Sequence, residues 1–307
     1  MAIGGPPNVG NRRAFNGLPN IGDTCFMNAA IQAIAACGDL VKAFNPEQGC
    51  SFPWSLCLHQ ILTRLRDSSH GVSKDDVKRM QSSLPDDLKT PNKQQDVEEL
   101  LFTLLTEDHP SFMGKTEKTT RCAGCRRNST IEATFKIHDL PVNNDAWQSF
   151  SVEGALHRQC EAEYLEGVNK YQCEECPIRQ DALQTFIFTS LPRFWFICLN
   201  RFNYDREQGT SYKVMTPVST PEFMEFKEES FRLIAVIVHV GLTANSGHYM
   251  TYFNDADCCL QNPKWFLADD KDVKEVKPEI LQELLAGLVS INQTPYVLLY
   301  KKISNSI

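Results

Sequence analysis

Gly17-Leu-Pro-Asn-Ile-Gly-Asp-Thr-Cys-Phe-Met-Asn28 joins a tight turn to a helix, with a cysteine at the junction. Gly22 and Asp23 supply the turn. Met27, Ile31 and Ile34 then recur at i, i+4 and i+7, the spacing of one helical face. The pattern predicts a helix from Cys25 to Cys37, capped by Thr24 or by Asp23 before it. A thiol at a helix N-terminus meets unpaired N–H groups and the positive end of the dipole, which favours the thiolate. The same N–H groups suit a developing oxyanion. Asn20 offers a side-chain donor to that oxyanion, although an Asn at this place also reads as an ordinary turn residue.

Working outward, a second helix is predicted over Trp54–Arg66, with Leu58, Ile61, Leu62 and Leu65 as its apolar stripe. A third runs from about Lys93 to Glu107, carried by Val97, Leu100, Leu101, Leu104 and Leu105. After Pro110 the texture changes to β-branched and aromatic segments punctuated by Gly, Pro and Asn. Strands are expected at Ile131–Leu140, Gln184–Leu191, Phe194–Leu199, Leu233–Val240, His248–Phe253, Lys264–Ala268 and Tyr296–Lys301. Residues 272–289 read as an acidic loop and a short helix before the last strand. Helices first and strands afterwards indicate an α+β architecture with a largely antiparallel sheet. Residues 1–14, rich in Gly, Pro and Asn, are expected to form a disordered leader, with order beginning near Phe15.

The chain has 307 residues, 42% of them hydrophobic and 22% charged, enough to bury a core without disulfide staples. No apolar run reaches the roughly 18–20 residues of a membrane span, and the N-terminus lacks the apolar core of a signal peptide. An intracellular protein, cytoplasmic or nuclear, is therefore expected, acting without a membrane and as a monomer. A net charge of −7 argues against a nucleic-acid partner, which calls for a basic balance. In a reducing compartment the 12 cysteines serve as metal ligands, nucleophiles or small core residues.

Four of them form two pairs, Cys122-Ala-Gly-Cys125 and Cys173-Glu-Glu-Cys176. Two residues between thiolates let one turn present both sulfurs to a tetrahedral ion, and two such turns close its shell. One such pair is a weak signal and two are a strong one, so a single structural Zn2+ tetrathiolate is expected. It would pin the ends of two hairpins at the tip of a β insertion. For the other cysteines the ordinary reading is a buried apolar residue, as at Cys198 within Phe-Trp-Phe-Ile-Cys-Leu. Cys25 is the exception.

A nucleophilic thiol needs a base. Of seven histidines, His248 has the most suggestive setting, Ser-Gly-His-Tyr-Met-Thr-Tyr-Phe, with glycine before it and a strand after. Gly247 gives backbone clearance for an extended substrate. His239, in Val-Ile-Val-His-Val, reads as a hydrogen-bonded core histidine. Trp265-Phe-Leu-Ala-Asp-Asp270 then places two carboxylates at the end of a strand, and either can fix the imidazole tautomer. Taken alone, the same pair reads as a solvated acidic turn.

These stretches resemble the ubiquitin-specific proteases. Gly17–Asn28 is similar to that family's cysteine box, and Val-Gly-Leu-Thr-Ala-Asn-Ser-Gly-His-Tyr-Met-Thr-Tyr to its histidine box. Gln94-Gln-Asp-Val-Glu-Glu-Leu-Leu101, Lys170-Tyr-Gln-Cys-Glu-Glu-Cys176, Leu199-Asn-Arg-Phe-Asn-Tyr-Asp205 and Tyr296-Val-Leu-Leu-Tyr300 follow in family order. The resemblance implies a papain-like cysteine protease fold with a helical thumb (about 15–110), zinc-tipped β fingers (about 111–190) and a β-sheet palm (about 191–302), in one catalytic domain over 15–307. It also implies hydrolysis of the bond after the C-terminal glycine of ubiquitin. Carried over, Cys25 is the nucleophile, His248 the base, Asp269 the third triad member, Asn20 the oxyanion donor and Asp270 a second acidic group. Asp96 matches a residue that contacts the basic tail of ubiquitin, although an Asp on the polar face inside a helix is ordinarily solvated. Gly247 and Tyr249, flanking the base, are the expected substrate-side neighbours.

Three departures stand out. Asp23 replaces the commoner Asn of the cysteine box; aimed at the sulfur it would disfavour the thiolate, and as a helix cap it would be harmless. Ala268 replaces the usual aromatic before the acidic pair, which would loosen the third triad member. Insertions are almost absent. Two alternatives stay open: a protease for a ubiquitin-like modifier, and a catalytically weak ubiquitin-binding scaffold.

Overall fold

The computed structural model describes residues 15–46, 52–67, 70–89, 94–105, 109–142, 150–205, 209–243, 246–255, 257, 264–288 and 292–303. The expected leader, the outer ends of the third predicted helix, and Cys50, Cys258 and Cys259 lie outside them. Helix α1 (Cys25–Ala35) is buried along its whole length, although its sequence promised a single apolar face. Two layers enclose it. The helices α2 (Gly38–Ala43), α3 (Ser55–Arg66), α4 (Lys74–Ser83) and α5 (Val97–Leu104) form one side, and a large sheet forms the other. The alanines at 29, 30, 33 and 35 let both layers approach its backbone. A helix enclosed on every side carries no polar face.

Helix α4 has no strong apolar pattern and starts on local chemistry instead. The Ser73 hydroxyl accepts from the Asp76 N–H while the Asp76 carboxylate accepts from Ser73 N–H, a reciprocal capping box. Arg64 and Arg79 pair with the same carboxylate.

The strands, in chain order, are β1 (Gly114–Cys122), β2 (Asn128–Phe135), β3 (Ile137–Pro141), β4 (Phe150–Ser151), β5 (Glu163–Leu165), β6 (Ala182–Ser190), β7 (Phe194–Asn200), β8 (Phe202–Asp205), β9 (Thr210–Lys213), β10 (Val218–Ser219), β11 (Phe223–Phe226), β12 (Glu229–Thr243), β13 (Ser246–Asn254), β14 (Trp265–Asp269), β15 (Asp272–Glu275) and β16 (Gln293–Ile303). The large sheet runs β15-β14-β13-β12-β16-β7-β3, with β11 paired to β12. It is antiparallel except where β3 joins β7. One face packs on α1 and its neighbours through Ile234, Ile237, Tyr249 and Phe253. The other face buries Trp195, Phe231 and Tyr300 with α6 (Val152–Gln159) and α7 (Pro278–Leu285). Leu140, Val142, Phe150, Val152 and Leu156 belong to this second core.

A separate antiparallel sheet, β2-β1-β6-β5, projects from the body. Strand β1 escaped the sequence reading because Gly-Lys-Thr-Glu-Lys-Thr-Thr-Arg-Cys has no apolar alternation. Almost every side chain of β2 is exposed. The segment expected as one strand over 131–140 breaks at Lys136, where the chain leaves this sheet for the large one. Lys136 Nζ sits 3.7 Å over the Phe102 ring and donates to the Phe102 carbonyl at 2.9 Å. The acidic stretch expected as a loop forms β15 instead, because Asp270 turns at φ +52° and folds it back on β14.

Candidate active site

Cys25 is the first residue of α1 and is 5% exposed. Thr24 occupies the N-cap, yet its hydroxyl accepts from Ile21 N–H at 3.1 Å and donates to Asn20 Oδ1 at 3.2 Å. The first turn thus has no side-chain cap among the described residues, and its N–H groups stay open to an anion. Strand β13 brings His248 to this helix end, and the adjacent β14 ends in Asp269. His248 Nε2 donates to Asp269 Oδ1 at 2.7 Å, leaving Nδ1 for the thiol. The His248 pKa is pushed up to about 9, first by its hydrogen bond with Cys25, then by Asp269, against the opposing cost of burial.

Asp270 does something different from its neighbour. Its Oδ1 accepts from Asn28 Nδ2 at 2.7 Å and its Oδ2 from Asn20 Nδ2 at 2.9 Å, while its carbonyl accepts from Leu18 N–H at 2.9 Å. A Cβ on Gly17 would run into the Lys271 carbonyl, so only glycine permits this approach. The cysteine turn and the acidic turn are therefore fastened together. Asn20 fills the ordinary turn role as well: its Oδ1 accepts from Gly22 N–H at 3.0 Å. One amide hydrogen of Asn20 serves Asp270, and the other is left for a further acceptor.

At the far end of the projecting sheet the four paired cysteines converge. Cys122 ends β1, Cys125 lies in the β1–β2 turn, and Cys173 and Cys176 lie between β5 and β6. Their sulfurs all fall within 4.8 Å of one another, with Cys122–Cys176 at 3.9 Å and Cys125–Cys173 at 3.6 Å. Tetrahedral Zn–S bonds of about 2.3 Å set sulfur–sulfur edges near 3.8 Å, so the spacing fits such an ion. The Cys125 and Gly124 N–H groups point at Cys122 Sγ and pull that thiol down to about 7.

The ubiquitin carboxyl-terminal hydrolase family pattern matches residues 16–300. The chain belongs to that family. Ubiquitin carboxyl-terminal hydrolase 48 of Danio rerio is 28% identical, over 89% of this chain and 28% of its own length. Ubiquitin carboxyl-terminal hydrolase 17-like protein B of Mus musculus is 27% identical, over 92% of this chain and 63% of its own. The chain thus spans less than a third of the first of these relatives and less than two thirds of the second. Among solved structures, the SAGA Ubp8/Sgf11/Sus1/Sgf73 DUB module bound to ubiquitin aldehyde superposes with a TM-score of 0.74 at 20% identity, covering 97% of this chain and 71% of that one. A related DUB module bound to monoubiquitin gives 0.75 at 21%, covering 94% and 69%. The mixed helix-and-sheet fold is therefore that of ubiquitin-specific hydrolase domains.

Within this family fold the expected substrate-side residues divide. Asp96 is the N-cap of α5, not a residue inside the helix: Oδ1 accepts from Glu98 N–H at 2.9 Å and Oδ2 from the Tyr296 hydroxyl at 2.8 Å. Burial raises its pKa. Gly247 was expected to leave room for substrate, but that room is taken, since a Cβ there would run into the His239 ring and the Val240 carbonyl. Tyr249 is 7% exposed and packs edge-on to His239 with centroids 5.0 Å apart, so its ring is a core element and presents little surface to a ligand. His239 is the core histidine its strand context implied.

The structure also adds residues to which the sequence reading gave no role. Gln94 clamps Gly247 from both sides, Nε2 donating to its carbonyl at 3.0 Å and Oε1 accepting from its N–H at 2.9 Å. Asn28 links α1 to Asp270. Both sat inside quoted motifs, but a side chain that binds backbone has no spacing signature. Asp23 adopts φ +42°, the left-handed region that Asp and Asn tolerate, which accounts for a polar residue in that turn. Thr24, not Asp23, holds the cap position. Ala268 is buried against α1, and Asp269 still meets His248 directly.

Proposed function

We propose that this domain is a thiol-dependent deubiquitinase that hydrolyses the isopeptide or peptide bond after the C-terminal glycine of ubiquitin. The observation that carries the reading is His248, which bonds Asp269 at 2.7 Å and stands on β13 against the open end of the helix that begins at Cys25. His248 takes the Cys25 proton, and the thiolate attacks the glycine carbonyl. The Cys25 N–H and the second amide hydrogen of Asn20 hold the oxyanion, with Asp270 fixing the Asn20 side chain. Protonated His248 then passes its proton to the departing lysine amine, and water, with His248 again as base, hydrolyses the thioester. Asp269 holds the ring in the tautomer this sequence needs. Asp96 faces the basic tail of the substrate.

Helices α1 to α5 would serve as thumb, the projecting sheet as fingers and the large sheet as palm. Cys122, Cys125, Cys173 and Cys176 would hold one structural Zn2+, which supplies cohesion to the fingers and no chemistry. A reducing compartment, cytoplasm or nucleus, suits a chain that needs five free thiols for these two centres. Among the described residues no helix is long and apolar enough to cross a membrane. Ubiquitin is favoured as substrate because the structural neighbours are held with ubiquitin or its aldehyde.

The test is incubation with ubiquitin carrying a C-terminal electrophile, beside matching probes built on ubiquitin-like modifiers. A ubiquitin adduct mapped to Cys25 by mass spectrometry is the expected result. An adduct only with another modifier would move the substrate, and no adduct with any probe would sink the assignment.

A further inference from the structure

Strand β12 loses regular register with β13 just beyond Val240, the residue paired with His248, and resumes only at Thr243–Ser246. Such a bulge can aim the side chains beside it, and its shape needs fixing. Here it is fixed from behind by a buried lysine, whose pKa burial first, and then the charge of Arg201, press down to about 8, so that it is an ammonium at neutral pH. Lys213, on β9, is 7% exposed, and its Nζ donates to the carbonyls of His239 at 2.9 Å, Gly241 at 3.0 Å and Asn292 at 3.3 Å. The first two carbonyls stand on either side of Val240. The same Nζ lies 2.9 Å from His239 Nδ1.

An ammonium only donates, and its three hydrogens are shared among these four acceptors, with the Asn292 carbonyl the most distant; His239 Nδ1 therefore accepts, and the proton of the neutral ring sits on Nε2. That nitrogen abuts Gly247, the residue before His248. His239 is 1% exposed and is also held by Phe202 and Tyr249, both edge-on. Burial first, then the charges of Lys213 and His248, press its pKa down to about 4. The ring under Gly247 is thereby kept neutral, where a second positive charge would oppose the charged form of His248.

Resting on the Cys–His reading above, we propose that Lys213 is a positioning residue for His248, fixing the bulge beside it and keeping the neutral His239 ring beneath Gly247. The groups facing His248 are then Cys25 from α1, Asp269 and Asp270 from the β14 turn, and His239 from β12, itself backed by Lys213 of β9. If the bulge is released, His248 meets Cys25 and Asp269 less squarely, and less thiolate is present at neutral pH.

The test uses iodoacetamide alkylation of Cys25 in the whole chain, followed by peptide mass spectrometry from pH 5 to 10, because this readout needs no ubiquitin. Lys213→Met is expected to move the midpoint up by about one pH unit and so to slow alkylation by about tenfold at pH values below both midpoints, tenfold there being one unit of midpoint. Lys213→Arg, which keeps a buried donor charge, is expected to recover part of the rate. An unchanged profile in folded Lys213→Met overturns the proposal. If that variant does not fold, Lys213→Gln, whose shorter, uncharged amide has two hydrogens for the three carbonyls, takes its place, and an unchanged profile there overturns the proposal as well. Failure of both to fold would make Lys213 a fold-holding group and also overturn it. If wild-type Cys25 alkylates no faster than Cys57, the Cys–His reading itself fails, so the two failures are told apart.

Discussion

The finger tip and the cleft both gather reactive side chains, but by opposite means. At the tip, two local turns each deliver two thiols, and the sheet behind them is exposed: β2 shows nearly every side chain, and Ile131, Tyr164, Val168 and Ile178 are open to solvent. In the cleft, residues 25, 248 and 269 come from three distant segments, and the helix that starts at Cys25 is buried throughout. The tip is local in sequence and has little apolar core of its own. The cleft is non-local and is held by core packing and by side chains bonded to backbone. Cohesion at the tip should therefore depend on an ion, and geometry in the cleft on the fold.

Metal removal should separate the two most sharply. Chelation, or Cys173→Ser, is expected to abolish amide protection in β1, β2 and β6, since structural zinc contributes about 10–16 kcal/mol in small zinc-dependent folds. Protection in α1, β12 and β16 should persist. Hydrogen exchange read by mass spectrometry checks this, and loss of protection in α1 as well would show that the regions are not separable. Metal analysis of the untreated protein should give one zinc per chain, and none would break the comparison outright.

The converse is Cys25→Ala. Hydrolysis of a ubiquitin C-terminal amide should fall by about 10⁴-fold or more, with finger protection unchanged. Residual turnover near the wild-type rate would remove Cys25 from the mechanism.

The two acidic neighbours sharpen the picture inside the cleft. Asp270 accepts two side-chain amides and fastens two segments, whereas Asp269 makes one bond, to His248. Asp270→Ala should therefore lower stability by about 2–3 kcal/mol, from two amides left without their acceptor, and Asp269→Ala by less. Asp269→Ala should instead lower the pH at which His248 titrates. Equal thermal shifts for the pair would contradict the division of labour.

How much of this was legible in sequence follows from the same contrast. The cysteine pairs and the long apolar helices declare themselves because their ligands or faces repeat at short spacing. Cys25 and His248 stood out by their turn and glycine contexts, and the order of helices then strands gave the fold class. What stayed hidden acts on backbone or by exclusion. Gln94 grips Gly247, Lys213 grips three carbonyls, and α1 is apolar all round because two layers enclose it. Strand β1, polar on both faces, carries no period to read. Gly247 was read as making room for substrate, whereas its missing Cβ makes room for His239. Sequence shows that a glycine stands there, and the structure shows which neighbour requires it.

A smaller effect appears in pH dependence. The folded pKa of His248 lies above its unfolded value of about 6.5, so its stabilisation is complete below that pH and is lost as pH rises through about 9. With a side chain 35% exposed, solvent screening reduces the gain to about 1–2 kcal/mol. Denaturant titrations of wild type and His248→Gln should differ by a constant amount below about pH 6.5 and converge above about pH 9. A gap that widened with rising pH would reverse the sign of the argument.

The smallest change should come from Asp23, despite its place two residues from Cys25. Its backbone is at φ +42°, where Asn is at least as comfortable as Asp, and Thr24 rather than Asp23 holds the helix cap. Asp23→Asn removes one charge from a partly exposed turn while leaving the Asn20–Gly22 and Asn20–Asp270 bonds intact. Cys25 alkylation and amide hydrolysis should both change by less than about threefold, the scale of a screened surface charge. A tenfold gain in both rates would mean that Asp23 acts on the sulfur directly, and that the cleft, like the tip, is tuned by an immediate neighbour in sequence.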